Sequence, residues 1–145
     1  MFQGATELSL DVKGRLAVPT RHRDALASSG VVVTAHPDGC LLLYPRNAWE
    51  PVSAKIQALP SFNADARLWQ RLMVGHAEEV AADAQGRVLI SPVLRKRAAL
   101  TKDVLLLGQG SHFEIWDLDH WEEKLAQALT QAGSALPPGA ENFSL

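Results

Sequence analysis

Asp11-Val12-Lys13-Gly14-Arg15-Leu16-Ala17-Val18-Pro19 recurs 72 positions later as Asp83-Ala84-Gln85-Gly86-Arg87-Val88-Leu89-Ile90-Ser91. The same ungapped shift maps Arg23 onto Arg95, Ala54 onto Ala126, and Trp49-Glu50 onto Trp121-Glu122. A register kept across both stretches indicates an internal duplication, which sets the architecture of the chain. Each copy is too small to bury its own strands, so we expect the copies to pack on each other or on another chain.

The residue pattern within each copy predicts an α+β fold that is mainly β. Short apolar or alternating runs bounded by turn residues are typical of strands, and Pro37-Asp38-Gly39 separates two such runs as a hairpin turn does. We predict strands at residues 7–10, 16–18, 31–34 and 41–44, and in the second copy at 104–107 and 113–116.

Helices are predicted after the second and fourth strand of each copy. The short helices are expected to run to about Leu26 and Leu100, with Thr20 and Ser91 as their N-caps. Asn47 and Asp119 are predicted to cap the longer helices, since Glu50 and Glu122 follow at capping-box spacing.

A further helix over residues 63–74 is expected to connect the copies. The predicted division is a first repeat at 1–60, a connector at 61–75, a second repeat at 76–132 and a flexible tail at 133–145.

Charge is distributed unevenly along a slightly acidic chain. The 145 residues carry a formal net charge of −2. Residues 11–23 hold four cations against one acid, and so do residues 83–97, whereas residues 101–145 hold seven acids against two lysines. An anionic ligand responds to the local field rather than to net charge. The duplicated segments are therefore the candidate sites for an anionic partner.

The Asp-x-x-Gly-Arg turn is the sharpest candidate site. Gly14 and Gly86 permit a positive φ, and we expect the turn to present Arg15 and Arg87 at exposed tips. An arginine held rigidly in this way can donate to both O6 and N7 of guanine. For Asp11 and Asp83 we favour a structural role in the turn over a direct role in binding.

Further cations flank these turns. Lys13 lies beside Arg15, and the predicted short helices carry Arg21, Arg23, Arg95, Lys96 and Arg97. Such a run is either a solvated helix face or a set of phosphate contacts, which add affinity and salt dependence without reading sequence. Both interpretations stay open, with Arg23 and Arg95 slightly favoured as contacts because both copies have them.

Other chemistries lack support in the sequence. The five histidines show no ligand-like spacing with Cys40, so we expect no metal site and no cofactor. No nucleophile, base and oxyanion site can be assembled, so we expect no enzyme. No apolar run approaches the length of a membrane span, and the first residues do not read as a secretory signal; we expect a cytoplasmic protein.

The chain resembles the MraZ family of bacterial transcriptional regulators over about residues 1–130. The resemblance rests on six segments in the family's order. They are Phe2-Gln3-Gly4, residues 11–19, Asp38-Gly39-Cys40-Leu41-Leu42-Leu43-Tyr44-Pro45, Leu59-Pro60, Gln85-Gly86-Arg87-Val88-Leu89-Ile90, and Phe113-Glu114-Ile115-Trp116-Asp117 followed by Trp121-Glu122.

The resemblance implies two tandem AbrB-like (SpoVT-AbrB) swapped-hairpin half-domains in a pseudo-symmetric unit, assembled into a ring-shaped homo-oligomer. It implies binding to double-stranded DNA at short G-rich direct repeats upstream of the division and cell-wall gene cluster, repression of its own operon, and association with the nucleoid. The family's DNA-binding role would fall on Arg15 and Arg87, with Lys13 beside the first. The alternative we keep is a protein-binding scaffold or antitoxin-like oligomer.

Overall fold

A computed structural model describes residues 1–132 and 136–143. The elements in chain order are β1 (Ala5–Ser9), β2 (Arg15–Ala17), α1 (Thr20–Ala27), β3 (Val31–Ala35), β4 (Leu41–Pro45), α2 (Arg46–Gln57), α3 (Ala64–Trp69), a π-helical turn (Gln70–Val74), β5 (Glu78–Val80), β6 (Arg87–Leu89), α4 (Pro92–Arg97), β7 (Asp103–Gly108), β8 (Phe113–Asp117) and α5 (Leu118–Ala132). The α+β prediction is confirmed, and the predicted strands are present with ends shifted by one or two residues.

The strands of the two copies are interleaved rather than stacked as separate units. A six-stranded antiparallel sheet has the order β1-β7-β8-β4-β3-β5, and β2 pairs with β6 in a separate two-stranded ribbon. Within the described residues, four of the six pairings join one copy to the other. Neither copy completes a sheet from its own strands, so the fold requires both copies.

A pseudo-twofold axis relates the copies. The β2–β6 ladder places Leu16 opposite Val88, and the β4–β8 ladder places Leu42 opposite Glu114. Both pairs are separated by the 72 positions that relate the copies in the sequence. The axis therefore passes through the middle of the ribbon and through the centre of the large sheet.

Apolar residues cover both faces of the central strands. Alternate residues of β3 and β4 enter two different core clusters, one beneath the ribbon and one beneath the longer helices α2 and α5. Leu16 and Val88 belong to the first cluster, and Trp49 and Trp116 to the second. Burial on both faces explains why β3 and β4 are continuous apolar runs rather than alternating ones.

Three predicted helix caps are wrong. Thr20, Asn47 and Asp119 all lie inside their helices, which begin one or two residues earlier than predicted. Prolines Pro19 and Pro45 precede α1 and α2, and no side chain caps either helix. At α5 the capping oxygen belongs to Asp117, whose Oδ2 accepts from the His120 amide at 3.2 Å.

The Ser91 cap is confirmed, but its helix is shorter than predicted. Ser91 Oγ accepts from the Leu94 amide at 3.3 Å, and Pro92 takes the first helical position. The helix ends at Arg97 instead of Leu100 because Ala99 adopts a left-handed conformation with φ +50°.

The connector is helical over the predicted stretch. Asn63 caps α3, and the chain continues through the π-helical turn to Val74. Thr34 in β3 donates to the Met73 carbonyl at 2.6 Å, which fixes the connector to the first copy. Trp69 on the connector is 39% exposed.

The predicted flexible tail falls partly outside the described residues, at 133–135 and 144–145; residues 136–143 form turns. Among the described helices, none is long and apolar enough to cross a membrane.

The ring of His22 lies between elements of both copies and gives a testable pH dependence. It contacts the rings of Phe2 and Phe113, with centroids 5.5 Å and 4.9 Å away. Burial, reinforced by the positive charge of Arg21, lowers the pKa of His22 below its usual 6.5. The unfolded chain therefore binds a proton near pH 6.5 that the folded chain binds only at lower pH. The free energy of unfolding falls as the pH drops below about 6.5 and is regained as the pH rises above it.

We predict that a His22→Phe variant loses less thermal stability than the parent between about pH 7.5 and about pH 5. Phenylalanine keeps the aromatic contacts and removes the titrating group. Thermal melts at both pH values provide the measurement, with His120→Gln on the exposed surface of α5 as the control. An equal loss in His22→Phe and the parent would contradict the assignment.

Candidate nucleic-acid interface

The first Asp-x-x-Gly-Arg turn is organised by one carboxylate. Asp11 Oδ1 accepts from the backbone amides of Lys13 and Arg15 at 3.0 and 2.9 Å, and Oδ2 accepts from Arg15 Nε at 2.6 Å. Two main-chain bonds between Asp11 and the segment Gly14–Arg15 close the turn. Gly14 has φ +84°, a conformation that favours glycine. Asp11 therefore stabilises the backbone of the turn and orients the arginine at the same time.

The second turn repeats this arrangement. Asp83 Oδ1 accepts from the amides of Gln85 and Arg87 at 3.0 and 2.8 Å, and Oδ2 accepts from Arg87 Nε at 2.7 Å. Gly86 has φ +73°. One bond has no counterpart in the first turn: Arg87 Nη2 donates to Gln85 Oε1 at 3.3 Å. The structural role predicted for the two aspartates agrees with this geometry.

The same contacts hold both carboxyl groups in their charged form. The hydrogen bond from the Arg15 amide, followed by that from its side chain, lowers the pKa of Asp11 below its ordinary 3.8. The corresponding bonds from Arg87 lower the pKa of Asp83. Charged carboxylates stabilise the turns above the ordinary pKa, and that contribution is lost only as pH falls through the lowered value.

The ribbon turns one face toward the core and the other outward. Leu16 and Val88 are fully buried at its centre. Successive residues of a strand point to opposite faces, so the flanking positions share the outer face. Those positions are Arg15 opposite Leu89 and Ala17 opposite Arg87. The two arginines are thus diagonal neighbours, with α-carbons about 7–8 Å apart.

The arginines are not at the exposed tips, contrary to our prediction. The Asp11 bond holds Arg15 against the turn, so its side chain is only 27% exposed, and that of Arg87 is 32% exposed. The tip of the first turn consists of Val12 and Lys13, both exposed, and Val12 is completely so. Val12 was not among the predicted site residues, although its place between Asp and Gly at a turn indicates an exposed tip position.

Arginines from the short helices reach the turn of the opposite copy. Arg95 on α4 lies over Gly14, where a Cβ would be 2.8 Å from the Arg95 Cζ. Arg23 on α1 lies over Gly86, where a Cβ would be 2.6 Å from the Arg23 Cδ and would also overlap its Nε. The Nε atoms of Arg23 and Arg95 donate to the carbonyls of Val18 and Ile90 at 2.9 and 3.0 Å. Each turn is therefore flanked by a cation from the other copy.

The other predicted site residues lie on the exposed surface of the short helices. Arg21 donates from Nη2 to Thr6 Oγ1 at 3.2 Å, between α1 and β1. Lys96 and Arg97 are exposed on α4. The structure thus brings Lys13, Arg15 and Arg95 together at the first turn, and Arg23 and Arg87 at the second. No three His, Cys, Asp or Glu side chains in the described part of the chain are grouped as metal ligands.

The fold and the two turns define a duplicated α+β protein that carries a basic β-ribbon on its surface. A family model described as "MraZ protein, putative antitoxin-like" matches residues 1–72 and again residues 73–137. Proteins named "Transcriptional regulator MraZ" match over their full lengths and over the whole of this chain. They include those of Methylobacillus flagellatus at 53% identity, Aromatoleum aromaticum at 52% and Nitrosomonas europaea at 47%. The chain belongs to the MraZ family, as its resemblance indicated.

Each turn glycine has a left-handed backbone and an arginine packed where a Cβ would lie. Substitution of such a glycine is therefore expected to lower stability. A Gly86→Ala variant meets two obstacles, the left-handed backbone and the Arg23 side chain. Gly30→Ala meets only the first, since Gly30 has φ +81° and no atom within 4 Å of its Cβ position. We expect Gly86→Ala to lower the free energy of unfolding by about 1–3 kcal/mol more than Gly30→Ala.

Chemical denaturation at matched protein concentration measures the difference. Repeating Gly86→Ala in an Arg23→Ala background should remove most of the extra loss, because the colliding side chain is gone. Equal destabilisation by Gly86→Ala and Gly30→Ala would show that Arg23 does not constrain this turn.

Proposed function

We propose that the protein is a sequence-specific DNA-binding transcriptional regulator that uses the outer face of the β2–β6 ribbon. The observation that carries the proposal is the placement of Arg15 and Arg87 as diagonal neighbours on that face, each oriented by an aspartate. A two-stranded β-ribbon fits the major groove of B-form DNA, where guanine presents O6 and N7 as acceptors. The regulator names of the relatives support the same function.

Arg15 is the residue best prepared to read a base. Its Nε is occupied by Asp11, while its terminal nitrogens donate to no group within residues 1–132 and 136–143. Those two nitrogens can bind O6 and N7 of one guanine, a contact worth about 1–3 kcal/mol of discrimination. Because Asp11 already fixes the guanidinium, little side-chain entropy remains to be lost on binding.

The surrounding cations supply affinity. Phosphate contacts hold a protein in register on the duplex and make binding fall steeply with salt. In this proposal Arg87 joins Arg15 on the ribbon, and the phosphate contacts come from Lys13, Arg21, Arg23, Arg95 and Lys96. The distribution of charge along the sequence agrees with this role, since these residues belong to the two basic segments of an otherwise acidic chain.

The resemblance extends the proposal to the operator and the assembly. Residues 1–60 and 76–132 act as two SpoVT-AbrB-like repeats joined by 61–75, and several copies of the chain form a ring. The ring binds G-rich direct repeats upstream of the division and cell-wall gene cluster, at the nucleoid, and represses its own operon. Repeated operator sequences would engage several ribbons at once, raising affinity about 10²–10⁴-fold over one site when the spacing fits.

We predict that Arg15→Ala weakens binding to the G-rich repeats by about tenfold to a hundredfold or more, because it removes the base contact from every ribbon. Binding to a duplex with the repeats scrambled should change much less. The measurement is a fluorescence anisotropy titration with both duplexes across a salt series. Arg71→Ala, an exposed arginine of the connector, is the matched control for the lost charge.

The oligomer size and thermal melt of each variant are measured alongside. Unchanged binding by folded Arg15→Ala would contradict its role. Weak binding by the parent that is equal for both duplexes and insensitive to salt would favour the second candidate, a protein-binding scaffold or antitoxin-like oligomer. The wording of the family description and the acidic C-terminal third of the chain support that candidate.

A further inference from the structure

We infer that the two turns are unequal, so that the turn at Asp11–Arg15 binds DNA strongly and the turn at Asp83–Arg87 weakly. The inference rests on the proposed function. Pseudo-symmetry makes the comparison direct, because each residue at one turn has a counterpart 72 positions away at the other. Two counterpart pairs at or beside the turns, Lys13 with Gln85 and Lys96 with Asp24, give three differences that favour the first turn.

The first difference is at the tip. Lys13 is exposed at the first turn, and its counterpart is the neutral Gln85. The second difference involves the same glutamine, which accepts from Arg87 Nη2 at 3.3 Å. One terminal N–H of Arg87 is thus engaged within its own turn, and this bond competes with a bidentate guanine contact. Lys13 has no acceptor to offer Arg15, whose terminal donors face no such competition.

The third difference lies on the short helices. Asp24 follows Arg23 on α1 and lines the same cavity as Asp83, Ala84 and Gly86 of the second turn. Its counterpart is Lys96, which follows Arg95 on α4. Because Arg95 reaches across to the first turn as Arg23 does to the second, Lys96 adds a positive charge where Asp24 adds a negative one.

The two turns differ in formal charge. The first turn gathers Lys13, Arg15 and Arg95, with Lys96 next to Arg95 on α4, against Asp11, an excess of three positive charges. At the second turn the charges of Arg23 and Arg87 cancel those of Asp24 and Asp83. Arg21, also on α1, is not counted because it is bonded to Thr6 in β1. A phosphate backbone is attracted more strongly to the first cluster than to the second, where the two aspartates offset the two arginines. Asp24 is therefore a residue that limits the affinity of the second turn.

The test adds charge to the weak turn, so that a failure to fold cannot imitate the expected result. The double variant Asp24→Lys, Gln85→Lys copies the first turn's pattern onto the second. We expect tighter binding to the G-rich repeats by roughly tenfold or more near 0.1 M salt, and a salt slope steeper by about one for each added phosphate contact. Glu123→Lys on the exposed surface of α5 adds two positive charges against the three of the double variant, and controls for most of the change in net charge.

The reciprocal comparison uses Arg15→Ala and Arg87→Ala in the intact oligomer. We expect Arg15→Ala to cost several times more affinity than Arg87→Ala. Equal losses, together with a double variant that binds no better than Glu123→Lys, would overturn the inequality and leave the DNA-binding proposal intact. Absence of salt-dependent binding by the parent protein would overturn the DNA-binding proposal itself, and the inference with it.

Discussion

Pairing of β2 with β6 is the interaction on which the rest of the molecule depends. Each strand has only three residues and finds no partner within its own copy. Leu16 and Val88 are fully buried because the strand pair β2–β6 covers one face of the large sheet. This leaves Arg15 and Arg87 on the outer face of the pair. One ladder thus completes the core and creates the surface proposed to bind DNA. A chain with a single copy would need a second chain to do the same.

Because strands are exchanged between the copies, each turn is also built from residues of both copies. The turn's shape comes from its own aspartate and glycine, whereas the arginine packed on that glycine comes from the other copy. The carbonyl of each turn glycine in addition accepts from the opposite copy, at Val18 and Ile90. Ribbon, turns and short helices are therefore mechanically coupled. Divergence of one copy, as at Asp24 and Lys96, alters the turn that belongs to the other.

Local features of this architecture could be predicted from the sequence, and features set by tertiary contact could not. Strand positions, the Ser91 cap and the carboxylate-centred turn follow from patterns of a few residues. The caps at Asn47 and Asp119 failed because the chain enters each helix directly from a buried strand, earlier than the capping pattern suggested. Nothing in the local sequence around Arg23 indicates that it packs on Gly86, since these residues meet only through the exchange of strands. The half-buried state of Arg15 is by contrast a local feature, because it follows from the bond to Asp11 four residues earlier.

Replacement of guanine by 7-deazaguanine within the operator repeats tests the central claim most directly. This base keeps Watson–Crick pairing and the minor groove unchanged and removes only the N7 acceptor in the major groove. If Arg15 reads guanine from the ribbon, the substitution weakens binding of the parent protein and has little further effect on Arg15→Ala. Equal affinity of the parent protein for both duplexes would contradict the account, because no guanine would then be read through N7, which the bidentate contact requires.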